Sequence, residues 1–181
     1  LDEAKDVFDQ LSIPCRTKVI TNALSAGENL VAFARTQEPR QSYFNIAGKI
    51  DVVLALMKKD LEGIQVIKKY QSHMPDLLAD PDMVEHALVN LLQNAVHALG
   101  RTKKPMITLS TQHLEDTICI KIMDNGCGIP REHLEKIYDP AFTLKGGNDT
   151  SGAYPSHVKG TGYGMGNVQK YVHQHKGSVQ V

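Results

Sequence analysis

The strongest pattern of apolar and polar positions lies at residues 84–99. Val84, Leu88, Leu91, Ala95 and Leu99 recur at spacings of three and four, which predicts a helix with one apolar stripe. Asn90 and Asn94 sit one turn apart on a neighbouring face, and His97 continues that face. Asparagine is a poor helix former because its amide competes with the backbone. Two on one stripe of an otherwise good helix point to a task. Asp80 is placed to cap this helix, Pro81 suits its first turn and Gly100 ends it.

Upstream, Val19, Ala23, Ala26, Leu30 and Phe33 form a heptad-like seam within Arg16 to Arg35, which predicts a second helix whose face needs a partner. The partner is another helix of this chain, a second copy of it, or residues preceding it. Leu1 to Leu11 reads as a shorter helix, broken at Ser12-Ile13-Pro14. Thr36 to Gln41 is polar, contains Pro39 and reads as a boundary. Beyond it the pattern predicts a short strand at Ser42–Asn45, a helix from Ile46 to Leu61, a strand from Ile64 to Tyr70 and a loop from Gln71 to Leu78. After the central helix come two alternating strands, Met106–Gln112 and Ile118–Ile122, joined by a turn at Leu114–Thr117. Arg131 to Ile137 reads as a short helix, Asp139 to Lys159 as a long loop, Asn167 to His175 as a helix and Ser178 to Val181 as a strand. A loop of that length inside a compact domain is usually functional or disordered.

Composition narrows the function classes. Lys+Arg and Asp+Glu number 20 each among 181 residues, so net charge gives no case for nucleic acid or anionic lipid as the main partner. Cys15, Cys119 and Cys127 are odd in number and show no C-x-x-C spacing. That disfavours a disulfide framework or structural zinc and favours a reducing compartment. No apolar run reaches the length of a membrane span. The chain has no starting methionine and no signal-peptide pattern, and is expected to be a piece of something longer.

Two glycine clusters carry the candidate chemistry. Gly160, Gly162, Gly164 and Gly166 alternate just before a helix, an arrangement that offers backbone N–H groups to phosphate. The P-loop pattern is absent. Met165 and Arg131 occupy the positions where either cluster would need its third glycine for a dinucleotide fingerprint.

The order of four elements is specific. An asparagine-bearing helix precedes a strand ending in Asp124-Asn125-Gly126-Cys127-Gly128-Ile129-Pro130. Then come Asp139-Pro140-Ala141-Phe142-Thr143-Leu144-Lys145 and Gly160-Thr161-Gly162-Tyr163-Gly164-Met165-Gly166. These resemble the N box, first glycine box, F box and second glycine box of the ATP-binding domain of sensor histidine kinases, in the superfamily shared with gyrase, MutL and the large heat-shock chaperone. The resemblance covers about residues 42–181. Residues 1–40 resemble part of the dimerisation and phosphotransfer helical hairpin, with 41–181 as the kinase domain lacking its last strands.

The resemblance implies an α/β fold (an α+β sandwich), with helices covering one face of a mixed sheet and ATP held between them under a mobile lid. It implies Asn94 as the Mg²⁺ ligand, in keeping with that ion's preference for oxygen and few protein groups. Asn90 would orient phosphates or water, and Asp124 would accept the adenine amino group. Gly126, Gly128 and Ile129 would approach adenine. Gly162, Gly164 and Gly166 would hinge the lid and face the phosphates, with Lys145, Thr161, Tyr163 and Met165 as further contacts. His97 is the histidine expected nearest phosphate, and Ala141 and Gly166 depart from the common residues at the lid.

The ATP-hydrolysing relatives carry a glutamate where this chain has Asn90. An amide has no useful basicity, and Glu85, nine residues before Asn94, falls on the opposite side of the helix. The expected activity is therefore transfer of the γ-phosphoryl group of Mg-ATP to a histidine outside this chain, since none of its eight has the family's acceptor context. An ATP-driven clamp of the same superfamily and a non-catalytic dimerisation module are the alternatives. A homodimer through the N-terminal helix, a response-regulator partner, a cytoplasmic location and no membrane contact within the chain complete the expectation.

Overall fold

The computed structural model describes residues 7–14 and 39–181, residue 151 excepted. Its main sheet has five strands in the order β3-β5-β6-β1-β7. They are β1 (Val7–Pro14), β3 (Gln65–Tyr70), β5 (Met106–Leu114), β6 (Thr117–Asp124) and β7 (Ser178–Gln180). β3 runs parallel to β5, and every other pairing is antiparallel, so the sheet is mixed. A separate ribbon pairs β2 (Ser42–Phe44) with β4 (Leu77–Ala79). Among the described residues the α-helices are α1 (Ile46–Leu56), α2 (Pro81–Ala98) and α3 (Gly164–Gln174).

The core forms where one face of the sheet meets the helices. Leu109 lies opposite Ile122 and Thr111 opposite Ile120, so period-2 alternation puts Ile107, Leu109, Ile118, Ile120 and Ile122 on that face. They are buried together with Ile46, Ile50 and Val53 of α1, Leu88, Leu91 and Leu92 of α2, and Val168 and Val172 of α3. α2 is the central helix and packs against both α1 and α3. Its start is fixed as the sequence predicts. The Asp80 carboxylate accepts the backbone N–H groups of Asp82 (3.2 Å) and Met83 (3.3 Å), and Pro81 stands in the first turn.

Several expectations are corrected. Residues 7–14 form a strand, not the end of a helix: β1 lies between β6 and β7, with Leu11 opposite both Ile120 and Val179. The alternation of Gln10, Leu11, Ser12 and Ile13 suits a strand, and the sheet partners that stabilise it come from more than 100 residues away. Leu77 and Leu78, expected at the end of a loop, belong to the strand Leu77–Ala79, where Tyr43 and Leu78 pair across the small ribbon. α1 stops at Leu56, five residues early, and Arg131–His133 is a single 3₁₀ turn rather than a longer helix. α3 begins inside the second glycine cluster, at Gly164. The expected helix over residues 16–35 lies outside the described residues.

Candidate functional site

Three segments converge on the C-terminal half of α2. The first is the turn after β6. Asp124 accepts the N–H of Gly126 at 2.8 Å, which closes an Asx turn. Asn125 ties that turn to the start of β5, accepting the N–H of Met106 (2.8 Å) and donating to the Lys104 carbonyl (2.9 Å). The Cys127 N–H donates to the Ala98 carbonyl at 3.1 Å. A Cβ at Gly126 would stand 2.6 Å from the Ala98 backbone, so only glycine lets the turn lie this close to the helix.

The second segment carries Lys145. Its ammonium donates to the Asn94 side-chain oxygen at 2.6 Å and lies 3.0 Å from Nδ1 of His97. Burial, then the charge of Lys145, then His157 hold the His97 imidazole down to about 4. Burial lowers Lys145 to about 8. Near neutral pH the positive charge in this cluster therefore sits on Lys145, and His97 is the neutral acceptor.

The third segment is the second glycine cluster, which runs alongside residues 141–143. A Cβ at Gly160 would meet Oγ1 of Thr143 at 2.3 Å, and one at Gly162, whose φ is +75°, would meet the Ala141 backbone at 2.2 Å. Gly164 opens α3 against Asn90, whose side-chain oxygen would be 3.0 Å from an added Cβ. Asn90 is buried, and its amide nitrogen donates to the His86 carbonyl at 2.9 Å. Its oxygen is thereby left toward the first turn of α3. Tyr171 of α3 reaches back to His86, hydroxyl to Nδ1 at 3.2 Å, so α2 and α3 are bonded again about two turns beyond Gly164.

The family model described as histidine kinase-, DNA gyrase B-, and HSP90-like ATPase matches residues 79–181. The chain belongs to this family. Sensor histidine kinase ZraS of Salmonella typhimurium is 32% identical over 133 residues, covering 71% of this chain and 25% of the relative. Signal transduction histidine-protein kinase AtoS of Escherichia coli is 27% identical over 183 residues, covering 99% and 28% respectively. The catalytic domain of histidine kinase ThkA, in a nucleotide-free form, superimposes with a TM-score of 0.62 at 25% identity, over 75% of this chain and 82% of that one. The chain spans about a quarter of the length of these curated relatives. It is a histidine kinase-type ATPase domain, homologous to sensor histidine kinases.

For this histidine kinase-type domain the structure brings together most of the residues singled out from the sequence. Asn94, His97 and Lys145 form one contact cluster, and Asn90 meets Gly164. Asp124 and Gly126 form one turn, and Gly128 takes a positive φ of 71° just after it. Thr161, Tyr163 and Ile129 are half-buried along the flanking segments. Met165 packs against the core. Glu85 is engaged elsewhere, in an ion pair with Lys49 at 2.8 Å.

Sequence reasoning missed Tyr154. Its hydroxyl is hydrogen-bonded to the Cys127 thiol, and its ring centroid lies 6.0 Å from the Lys145 ammonium. Burial, first of all, raises its phenol well above the usual range. No periodic signal marks it within the long loop.

Proposed function

We propose that this domain binds Mg-ATP in the cleft beside α2 and transfers the γ-phosphoryl group to a histidine that is not among its own eight. The observation that carries the reading is the Lys145–Asn94 contact at 2.6 Å. It joins the N box to the segment between the two glycine boxes and places an amide oxygen against a cation. An oxygen that already accepts an ammonium suits a hard divalent ion. Asn94 would hold Mg²⁺, which when bound would neutralise charge on the phosphates.

Each remaining role belongs to a residue of this chain. Asp124 would accept the adenine amino group and select the base. Gly126, Gly128 and Ile129 would leave the adenine edge open to backbone. The first turn of α3, at Gly164, Met165 and Gly166, would direct N–H groups at phosphate, with Gly162, Thr161 and Tyr163 beside them. Lys145 supplies the positive charge, and the neutral His97 orients it. Asn90, an amide with its nitrogen bonded to backbone, is no general base. Transfer therefore rests on positioning and charge neutralisation. The dimer through residues 16–35 and a response regulator as the downstream partner complete this reading, with β1 (Val7–Pro14) counted with residues 41–181 in the kinase domain because it lies in that domain's sheet. So does a cytoplasmic site of action; among the described residues no helix is long and apolar enough to cross a membrane.

Isothermal titration with a non-hydrolysable ATP analogue and Mg²⁺ tests it. Saturable heat is expected, abolished in Asp124→Asn. Absence of binding to the folded chain overturns the reading. Acid-labile phosphate on a histidine-bearing relative segment added in trans, lost in Asn94→Ala, distinguishes the kinase from a hydrolysing clamp.

A further inference from the structure

The long loop does not lie idle over the cleft. The Asp149 carboxylate accepts the N–H groups of Ala153 (3.1 Å) and Tyr154 (2.8 Å), folding the loop back on itself. Arg101, just beyond α2, donates to the Tyr154 carbonyl at 3.2 Å. Pro155 packs onto Gly100, where an added Cβ would stand 2.6 Å from its ring. So held, Tyr154 bridges two segments of the candidate site: its hydroxyl bonds the thiol of Cys127 in the first glycine box, and its ring faces the Lys145 ammonium that sits on Asn94.

We propose that Tyr154 and Lys145 are a built-in placeholder for the nucleotide, the ring lying where the nucleoside enters and the ammonium on the oxygen the metal takes. The proposal rests on the ATP-site reading above. Nucleotide enters when Tyr154 leaves Cys127, and Lys145 then turns from Asn94 to the phosphates. A ligand that binds only the open form has its affinity reduced by the open fraction. The placeholder therefore sets the concentration at which the domain charges with nucleotide, and an aromatic ring against the first glycine box does so through surface and one hydrogen bond, with no charge to repel the phosphates.

The test uses the full chain and its Tyr154→Ala, Tyr154→Phe and Arg101→Ala variants. Affinity for the Mg²⁺ complex of a non-hydrolysable ATP analogue is expected to tighten roughly three- to tenfold in Tyr154→Ala. Tyr154→Phe, which keeps the ring and loses the bond to Cys127, falls between it and the wild type. Arg101→Ala, which frees the loop from outside the cleft, shifts in the same direction by less. Uptake that Tyr154→Ala weakens makes Tyr154 a contact of bound nucleotide, and that result or an unchanged affinity overturns the proposal alone. No uptake by either protein overturns the ATP-site reading and the placeholder with it. A second measurement needs no nucleotide. Iodoacetamide labelling of Cys127, followed by mass spectrometry of its peptide, is expected to run several-fold faster in Tyr154→Ala, and an equal rate overturns the placeholder contact.

Discussion

The amide nitrogen of Asn90 donates to the carbonyl of His86, one helical turn earlier, at 2.9 Å in a buried setting. This bond decides which end of the amide faces α3. The oxygen is turned toward Gly164, and a carboxylate at this position has no proton to give the carbonyl. Asn90→Asp is therefore expected to place two acceptors against one another in a buried site. It should destabilise the fold by about 1–3 kcal/mol, read by urea unfolding at neutral pH. Asn90→Ala, which removes the second acceptor, should cost less than Asn90→Asp. The reverse order would show that the His86 bond does not set the orientation.

The cap of α2 is a separate determinant. Asp80 serves three N–H groups: Asp82 and Met83 through one oxygen and Arg40 through the other, the last at 2.6 Å. Asp80→Ala removes the helix cap and the tie to the segment before β2. A loss of about 1–2 kcal/mol is expected from the cap alone, with Asp80→Asn recovering part of it. Thermal unfolding followed by circular dichroism checks both variants.

The glycines make a graded series. Gly147 has open space and ordinary backbone, so Gly147→Ala should leave stability within about 0.5 kcal/mol. Gly63 has open space but a φ of +80°, and Gly63→Ala should cost about 1–2 kcal/mol from backbone strain alone. Gly126 has ordinary φ but meets the Ala98 backbone, and Gly162 has both faults. Both Gly126→Ala and Gly162→Ala should weaken nucleotide binding, because each pushes apart the segments that form the cleft. Gly63→Ala should leave binding unchanged. Equal effects of Gly63→Ala and Gly126→Ala on binding would separate the glycine contacts from the site.

How much of this was legible depended on the range of the interactions involved. α2 is legible with its cap and its polar stripe, because Asp80, Pro81 and the apolar spacing are local signals. The β5–β6 hairpin was read because its alternation and turn lie within twenty residues. β1 departs from the expected helix because short apolar segments fit either period, and its partners β6 and β7 arrive far later in the chain. β4 has three residues, too few for a pattern. The boxes named the candidate site residues by resemblance, yet the Lys145–Asn94 bond spans 51 positions and no spacing rule reaches it. Tyr154 was invisible for the same reason. It is placed by Asp149, Arg101 and Gly100, which no periodicity connects.

His97 offers the sharpest electrostatic test. Its imidazole sits at about 4 rather than the ordinary 6.5, through burial first and the Lys145 charge second. Between those values the unfolded chain binds a proton that the folded chain refuses, so lowering the pH through this window favours unfolding. The stability that depends on neutral His97 is full above about 6.5 and is lost as pH falls toward 4. The Cε1–H resonance of His97, assigned by its absence in His97→Gln, should therefore stay at its neutral position through pH 6 and move only near 4. Lys145→Met removes the neighbouring charge and leaves most of the burial. Its His97 midpoint should rise, while remaining below 6.5, and the acid side of the stability profile should shift less steeply. A wild-type midpoint equal to that of Lys145→Met would mean that the ammonium does not sit beside the ring in solution, and the Lys145–Asn94 contact would fall with it.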